Sequence, residues 1–99
     1  MQASLRFSSK ANLDLENIEA FENNVLAGRG NRIASVLYTQ LGILRSSIRL
    51  GMKEEAINGL ETHRLSLGRY DCYYQIETER SVVVIAIFDT RQDPDKLKL

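Results

Sequence analysis

Near Leu60 the apolar residues of this 99-residue chain switch from a period of 3.6 to a period of 2. That switch divides the chain into a helical half and a strand-rich half. In the first half Leu15, Ile18, Phe21 and Val25 recur at three- and four-residue spacing. They share one helix face, with Asp14, Glu16, Glu19 and Glu22 mostly turned to water. Ser8 and Ser9 supply the cap for this helix. Two glycines in Ala27-Gly28-Arg29-Gly30 end it by allowing a tight reversal. Asn31 then suits the N-cap of a second helix, whose stripe is Ile33, Val36, Leu37, Leu41, Leu44 and Ile48. So short a connection implies an antiparallel helical hairpin. Gly51 closes the second helix, and residues 52–59 read as an irregular linker with room for one helical turn at 53–56.

Strands are marked by alternation. Leu5 and Phe7 alternate with Ser4, Arg6 and Ser8. His63, Leu65 and Leu67 alternate with Arg64 and Ser66 until Gly68-Arg69 interrupts. Next come Tyr70, Cys72, Tyr74 and Ile76 on one face, and Asp71, Tyr73 and Gln75 on the other. Glu77-Thr78-Glu79-Arg80 suits a hairpin. Residues 81–88 are apolar on both faces, the pattern of a central strand, and residues 89–99 form a polar tail. The expected fold is α+β over one domain, residues 1–99. Its order is β-α-α-β-β-β, with the helical hairpin on one face of an antiparallel sheet. Leu65, Leu67, Tyr74, Ile76 and one face of residues 82–88 complete the core. Each large apolar side chain buried there contributes roughly 1.5–3 kcal/mol.

Charge narrows the function. Thirteen Lys and Arg balance thirteen Asp and Glu, and bulk polyanion binding needs a cationic excess. No direct bulk DNA binding is therefore expected. The longest apolar run has seven residues, against about 20 for a membrane-spanning helix, so a cytoplasmic protein with no membrane partner is expected. One Cys and one His are too few for a structural zinc site, and no metal, cofactor or catalytic residue is assigned. Cys72 reads as a small buried hydrophobe and His63, in phase with Leu65 and Leu67, as structural. Gly28-Arg29-Gly30 reads as a plain turn rather than an anion cradle. Arginine is more telling, with nine Arg against four Lys. Arg45 and Arg49 fall on one helix face, Arg64 projects opposite Leu65, Arg69 sits at the strand break, and Arg91 follows the last strand. The planar guanidinium suits carboxylate or phosphate recognition.

The run Leu65-Ser66-Leu67-Gly68-Arg69-Tyr70, the aromatic strand after it, the aliphatic strand Val82-Val83-Val84-Ile85-Ala86-Ile87-Phe88 and the closing Arg91-Gln92-Asp93 resemble the RelE/ParE superfamily of bacterial toxins. Leu5-Arg6-Phe7-Ser8 and the acidic helix behind it extend the resemblance over nearly the whole chain. Arg91-Gln92-Asp93 departs from the commoner doubly basic version. The resemblance implies a toxin of a type II toxin–antitoxin pair, held inactive by a cognate antitoxin. ParE-like members poison DNA gyrase by binding, and RelE-like members cut messenger RNA on the ribosome. A chain without net charge gains little from ribosomal RNA phosphates, and residues 89–99 offer no His or Tyr for proton transfer. The ParE-like reading is favoured. Arg64, Arg69, Tyr70, Arg91 and Asp93 are its expected target contacts, and Arg45 and Arg49 the antitoxin contacts beside the apolar surface of the helical hairpin. The alternative is a ribosome-dependent mRNA endoribonuclease with Arg64, Arg69 and Arg91 on phosphate and Tyr70 or Tyr74 as proton carrier. A third reading is an interaction domain that kept the fold and lost toxicity.

Overall fold

The computed structural model describes residues 2–99. Strand β1 (Ser4–Phe7) leads into helix α1 (Ser9–Val25), helix α2 (Arg29–Leu41) and a 3-10 turn (Gly42–Arg45). Four strands follow: β2 (Met52–Ile57), β3 (Leu60–Leu67), β4 (Tyr70–Thr78) and β5 (Ser81–Asp89), then a 3-10 turn at Pro94–Lys96. They form one sheet in the order β1-β5-β4-β3-β2. The α+β architecture with helices packed on a sheet is therefore as expected. Two details differ. β1 runs parallel to β5, pairing Leu5 with Val82 and Phe7 with Val84, so the sheet is mixed. Residues 52–57 are also an edge strand rather than a linker or a helical turn. The cause is Asn58-Gly59, both at positive φ (53° and 76°), which matches the two-residue hairpin turns whose twist suits paired strands.

Ser8 caps α1 as expected, its hydroxyl accepting from the Ala11 N–H at 3.0 Å. The face that α1 buries is rotated from the expected one. Ala11, Leu15, Ile18 and Glu22 point inward, while Phe21 and Val25 are each 57% exposed. Asn31 does not cap α2. That helix starts at Arg29 behind Gly28, which adopts φ 82°. Asn23 of α1 does the capping instead, accepting from the Gly30 N–H at 2.8 Å and donating to Asn31 Oδ1 at 2.9 Å. Gly30 lies so close to α1 that a Cβ there would fall 2.0 Å from the Glu19 carbonyl oxygen. α2 contributes Leu37 and Leu41 to the core and the 3-10 turn adds Leu44, while Val36 is exposed. The helix ends before Ile48 and Arg49, so Arg45 and Arg49 share no helix face.

α1 packs on β5, and α2 packs on α1. Tyr70, Cys72, Tyr74 and Ile76 line the helix side of β4, as the alternation implied. Tyr73 and Gln75, on the other side, are buried with Thr62, Val83 and Ala86. The ladder shifts between β4 and β5, where Tyr73 pairs with Ala86 but Tyr74 with Val84. This bulge bends β5 beside α1. Burial pushes the Cys72 thiol up to about 12, an inert thiol as expected. Among the described residues no helix is long and apolar enough to cross a membrane.

Candidate functional site

The end of β5 and the turn after it lie against the inner face of α1 and frame a pocket of about 450 Å³. Ile18, Phe21, Ile87 and Phe88 give it apolar wall, and Lys10, Lys96 and Lys98 also line it. Asp14 pins its side, taking the Ile87 N–H at 2.9 Å and the Lys10 ammonium at 2.8 Å.

The charged centre of this pocket is Glu22, whose side chain is 1% exposed. Arg91 Nη2 donates to Glu22 Oε1 at 2.7 Å, and Tyr70 Oη reaches the same oxygen at 3.4 Å. Arg29 Nε lies 2.8 Å from Glu22 Oε2. That contact lacks hydrogen-bond alignment, so its attraction is ionic. Arg91 is held a second time by Asp89, which accepts from its Nε (3.0 and 3.1 Å) and Nη2 (2.5 Å). Its guanidinium sits 5.9 Å over the Phe21 ring, a cation–π arrangement. Five side chains from α1, α2, β4, β5 and the tail thus converge on one ion-pair cluster.

Each pKa shift there follows from these contacts. The Arg91 hydrogen bond holds Glu22 below the usual carboxylate range against the opposing effect of burial, with Arg29 adding charge attraction. Asp89 is lowered for the same first reason. Burial raises the Tyr70 phenol, and the neighbouring Glu22 charge raises it further.

Of the residues singled out in the sequence, Tyr70 and Arg91 meet here. Tyr70 is buried, so it forms the floor of the cluster rather than a contact surface. Arg69 is exposed beside it, its carbonyl accepting from the Thr90 N–H and hydroxyl at 2.8 and 2.7 Å. Asp93 is exposed and caps the last 3-10 turn through the Asp95 N–H at 3.0 Å. Arg64 does not join them. It projects from the helix-free face of the sheet, 3.6 Å from both Glu54 and Asp71. Arg45 stands exposed in the 3-10 turn, whereas Arg49 is spent on Glu61 (2.9 Å) and Glu79 (2.8 Å). Tyr74 is fully buried and its hydroxyl accepts from the Gly51 N–H at 2.9 Å, which removes it as a proton carrier.

Glu22, Arg29 and Asp89 escaped the sequence reading. The signal for Glu22 was present: Ala11, Leu15, Ile18 and Glu22 follow a 4-3-4 spacing, which is helical phase. Its charge argued for water, and burial becomes tolerable when Tyr70 and Arg91, 48 and 69 residues away, join Arg29 around it.

His63 is buried as a structural residue. Its Nδ1 lies 2.9 Å from the Gly51 carbonyl oxygen, its Nε2 2.6 Å from Glu61 Oε2, and its ring stacks on Tyr74. Arg49 first, then His63, lower Glu61 to about 2 from an ordinary 4.5. A carboxylate lowered on folding contributes stability that is complete above its unfolded pKa and is lost as pH falls through the folded one. The urea midpoint is therefore expected to drop steadily from about pH 4.5 toward pH 2, with Glu22, Asp89 and Glu77 adding in the same direction. Glu61→Gln should flatten part of that acid slope, measured by denaturation at a series of pH values.

No family model and no curated protein matches this chain. Solved structures do. A chain of the chromosomal ParDE toxin–antitoxin system from P. aeruginosa superposes with a TM-score of 0.71 at 15% identity, covering 89% of this chain and 96% of that one. A chain of the toxin–antitoxin complex RelBE2 from Mycobacterium tuberculosis gives 0.62 at 19% identity, covering 90% and 92%. One from the archaeal RelE–RelB complex of Pyrococcus horikoshii OT3 gives 0.50 at 14%, covering 94% and 100%. The chain shares the fold of these chains from ParDE, RelBE2 and RelE–RelB toxin–antitoxin complexes, in keeping with the resemblance in the sequence.

Proposed function

We propose that this chain is the toxin of a type II toxin–antitoxin pair, ParE-like in acting on DNA gyrase by binding, and neutralised in the cytoplasm by a cognate antitoxin. The observation that carries the reading is the near-complete superposition on a chain of a ParDE system. Binding rather than RNA cleavage is supported by what the ionisable groups are doing. The lone His is buried against Gly51 and Glu61. On the helix-free face of the sheet, Arg6 is paired with Glu77 and Arg64 with Glu54 and Asp71. General acid–base transfer needs a group free to exchange a proton with substrate.

Arg69, Arg91 and Asp93 are the target contacts in this reading, over Tyr70. Arg64 lies on another face and would meet a separate part of the target. The antitoxin covers the exposed apolar residues at the hairpin end, Phe21, Val25 and Leu26, as an amphipathic helix or strand. Arg45 stands exposed at the other end of the hairpin, beside Ala3, so an antitoxin that meets it as well runs the length of α2, and Arg49 joins only by giving up Glu61 and Glu79. Supercoiling by purified gyrase is expected to fall with added toxin and to recover with antitoxin. Full gyrase activity at large toxin excess removes the gyrase reading. Cleaved transcripts after induction would select the ribosome-dependent endoribonuclease instead.

A further inference from the structure

We propose that Glu22 is a positioning residue: it aims the Arg91 guanidinium so that one edge stays open for a carboxylate or phosphate of the target. The inference rests on the reading that Arg91 touches the target. The Arg91 guanidinium has three nitrogens, and its hydrogen bonds use two of them. Nε and Nη2 go to Asp89, and Nη2 also goes to Glu22. Nη1 has no hydrogen bond to any described residue, while the side chain is 43% exposed on the pocket wall. Asp89 lies two residues away and moves with the same turn, so it fixes the guanidinium only relative to its own strand end. Glu22 belongs to α1. Its carboxylate is fixed in turn by Arg29 and Tyr70 and sits beneath the guanidinium that stacks over Phe21. A planar fork locked at two nitrogens has one orientation for its third, and a pre-aimed donor loses less entropy on binding an anion.

A surface salt bridge would explain little, because such pairs have long mobile partners in water. Glu22 differs, being buried at 1% exposure and held by three side chains from three other parts of the chain. Burying a carboxylate there is costly unless it is paired. Glu22 stands where an apolar residue would continue the α1 stripe of Ala11, Leu15 and Ile18.

The test compares Glu22→Leu, Glu22→Gln and Arg91→Ala, each first checked for its unfolding midpoint and antitoxin binding. Glu22→Leu is expected to raise the toxin concentration for half-inhibition of gyrase by about tenfold, the scale of one lost charge-assisted hydrogen bond. Glu22→Gln keeps the shape and an acceptor oxygen, so it is expected to fall between wild type and Glu22→Leu even if Glu22→Leu folds poorly. Nitrogen-15 spectra give a readout that does not depend on the target. Separate Arg91 Nη1 and Nη2 signals are expected in the wild type and averaged ones in the Glu22 variants. If Arg91→Ala abolishes inhibition while both folded Glu22 variants inhibit as wild type, the positioning role is overturned and the Arg91 contact stands. If Arg91→Ala inhibits fully, the contact itself is overturned. In that case the aiming toward the target is overturned with it, and averaged Arg91 signals in the Glu22 variants would show only that Glu22 orients the guanidinium.

Discussion

Gly30→Ala is expected to destabilise the domain by about 3 kcal/mol, the upper end of what overpacking usually costs. The added Cβ would fall 2.0 Å from the Glu19 carbonyl oxygen, 2.7 Å from its carbon and 2.9 Å from Asn23 Cγ. Two of those three atoms are backbone of α1 and cannot rotate away as a side chain can. Relief requires the two helices to part, which disturbs the Asn23 cap on Gly30 N–H and shifts Arg29 away from Glu22. Gly42→Ala is the control. Its Cβ would meet nothing nearer than Arg45 Nη1 at 3.9 Å, and its backbone is already helical. A change near zero or a gain of about 0.4–1 kcal/mol is expected there. Urea denaturation of both variants checks the pair, and equal midpoints would contradict the close helix approach.

Tyr74 heads the fully buried side chains ranked by volume, and its removal should be the most damaging single change. Tyr74→Ala is expected to cost about 3–5 kcal/mol, as for other large aromatic truncations. Domains are stable by only about 5–15 kcal/mol in total, so this variant sits at the edge of folding. The Tyr74→Phe exchange separates packing from hydrogen bonding. It keeps the ring against His63 but leaves the buried Gly51 N–H without its acceptor, at a cost of about 1–3 kcal/mol. Gly51 has no slack to find another partner, because a Cβ there would already lie 2.8 Å from the Arg64 carbonyl oxygen. Thermal unfolding of the two variants gives the split directly, and a Tyr74→Phe protein as stable as wild type would show that the bond contributes nothing.

The legible parts of the site were those carried by local pattern. Tyr70 and Arg91 were singled out and do meet, because Tyr70 pairs with Asp89 across β4 and β5, two residues before Arg91. Arg64 was grouped with them although strand alternation turns it to the opposite face, away from Tyr70. Arg45 and Arg49 were paired on a helix that stops at Leu41, where Gly42 begins a 3-10 turn. Asn58-Gly59 is a hairpin signal, but the residues before it, Lys53, Glu54 and Glu55, are charged and lack the apolar alternation of a strand. An edge strand accepts such charges, since they discourage pairing with another chain.

Periodicity needed nothing beyond neighbouring residues to mark two helices, the alternating strands and an apolar core, because side-chain direction follows from backbone geometry within a few residues. Partner choice is different in kind. That β1 joins β5 in parallel, that α1 turns Glu22 rather than Phe21 inward, and that Arg91 reaches back to neutralise it all depend on groups far apart in the chain. A buried charge is tolerable only where its counter-charges arrive, and their arrival is a property of the packed molecule.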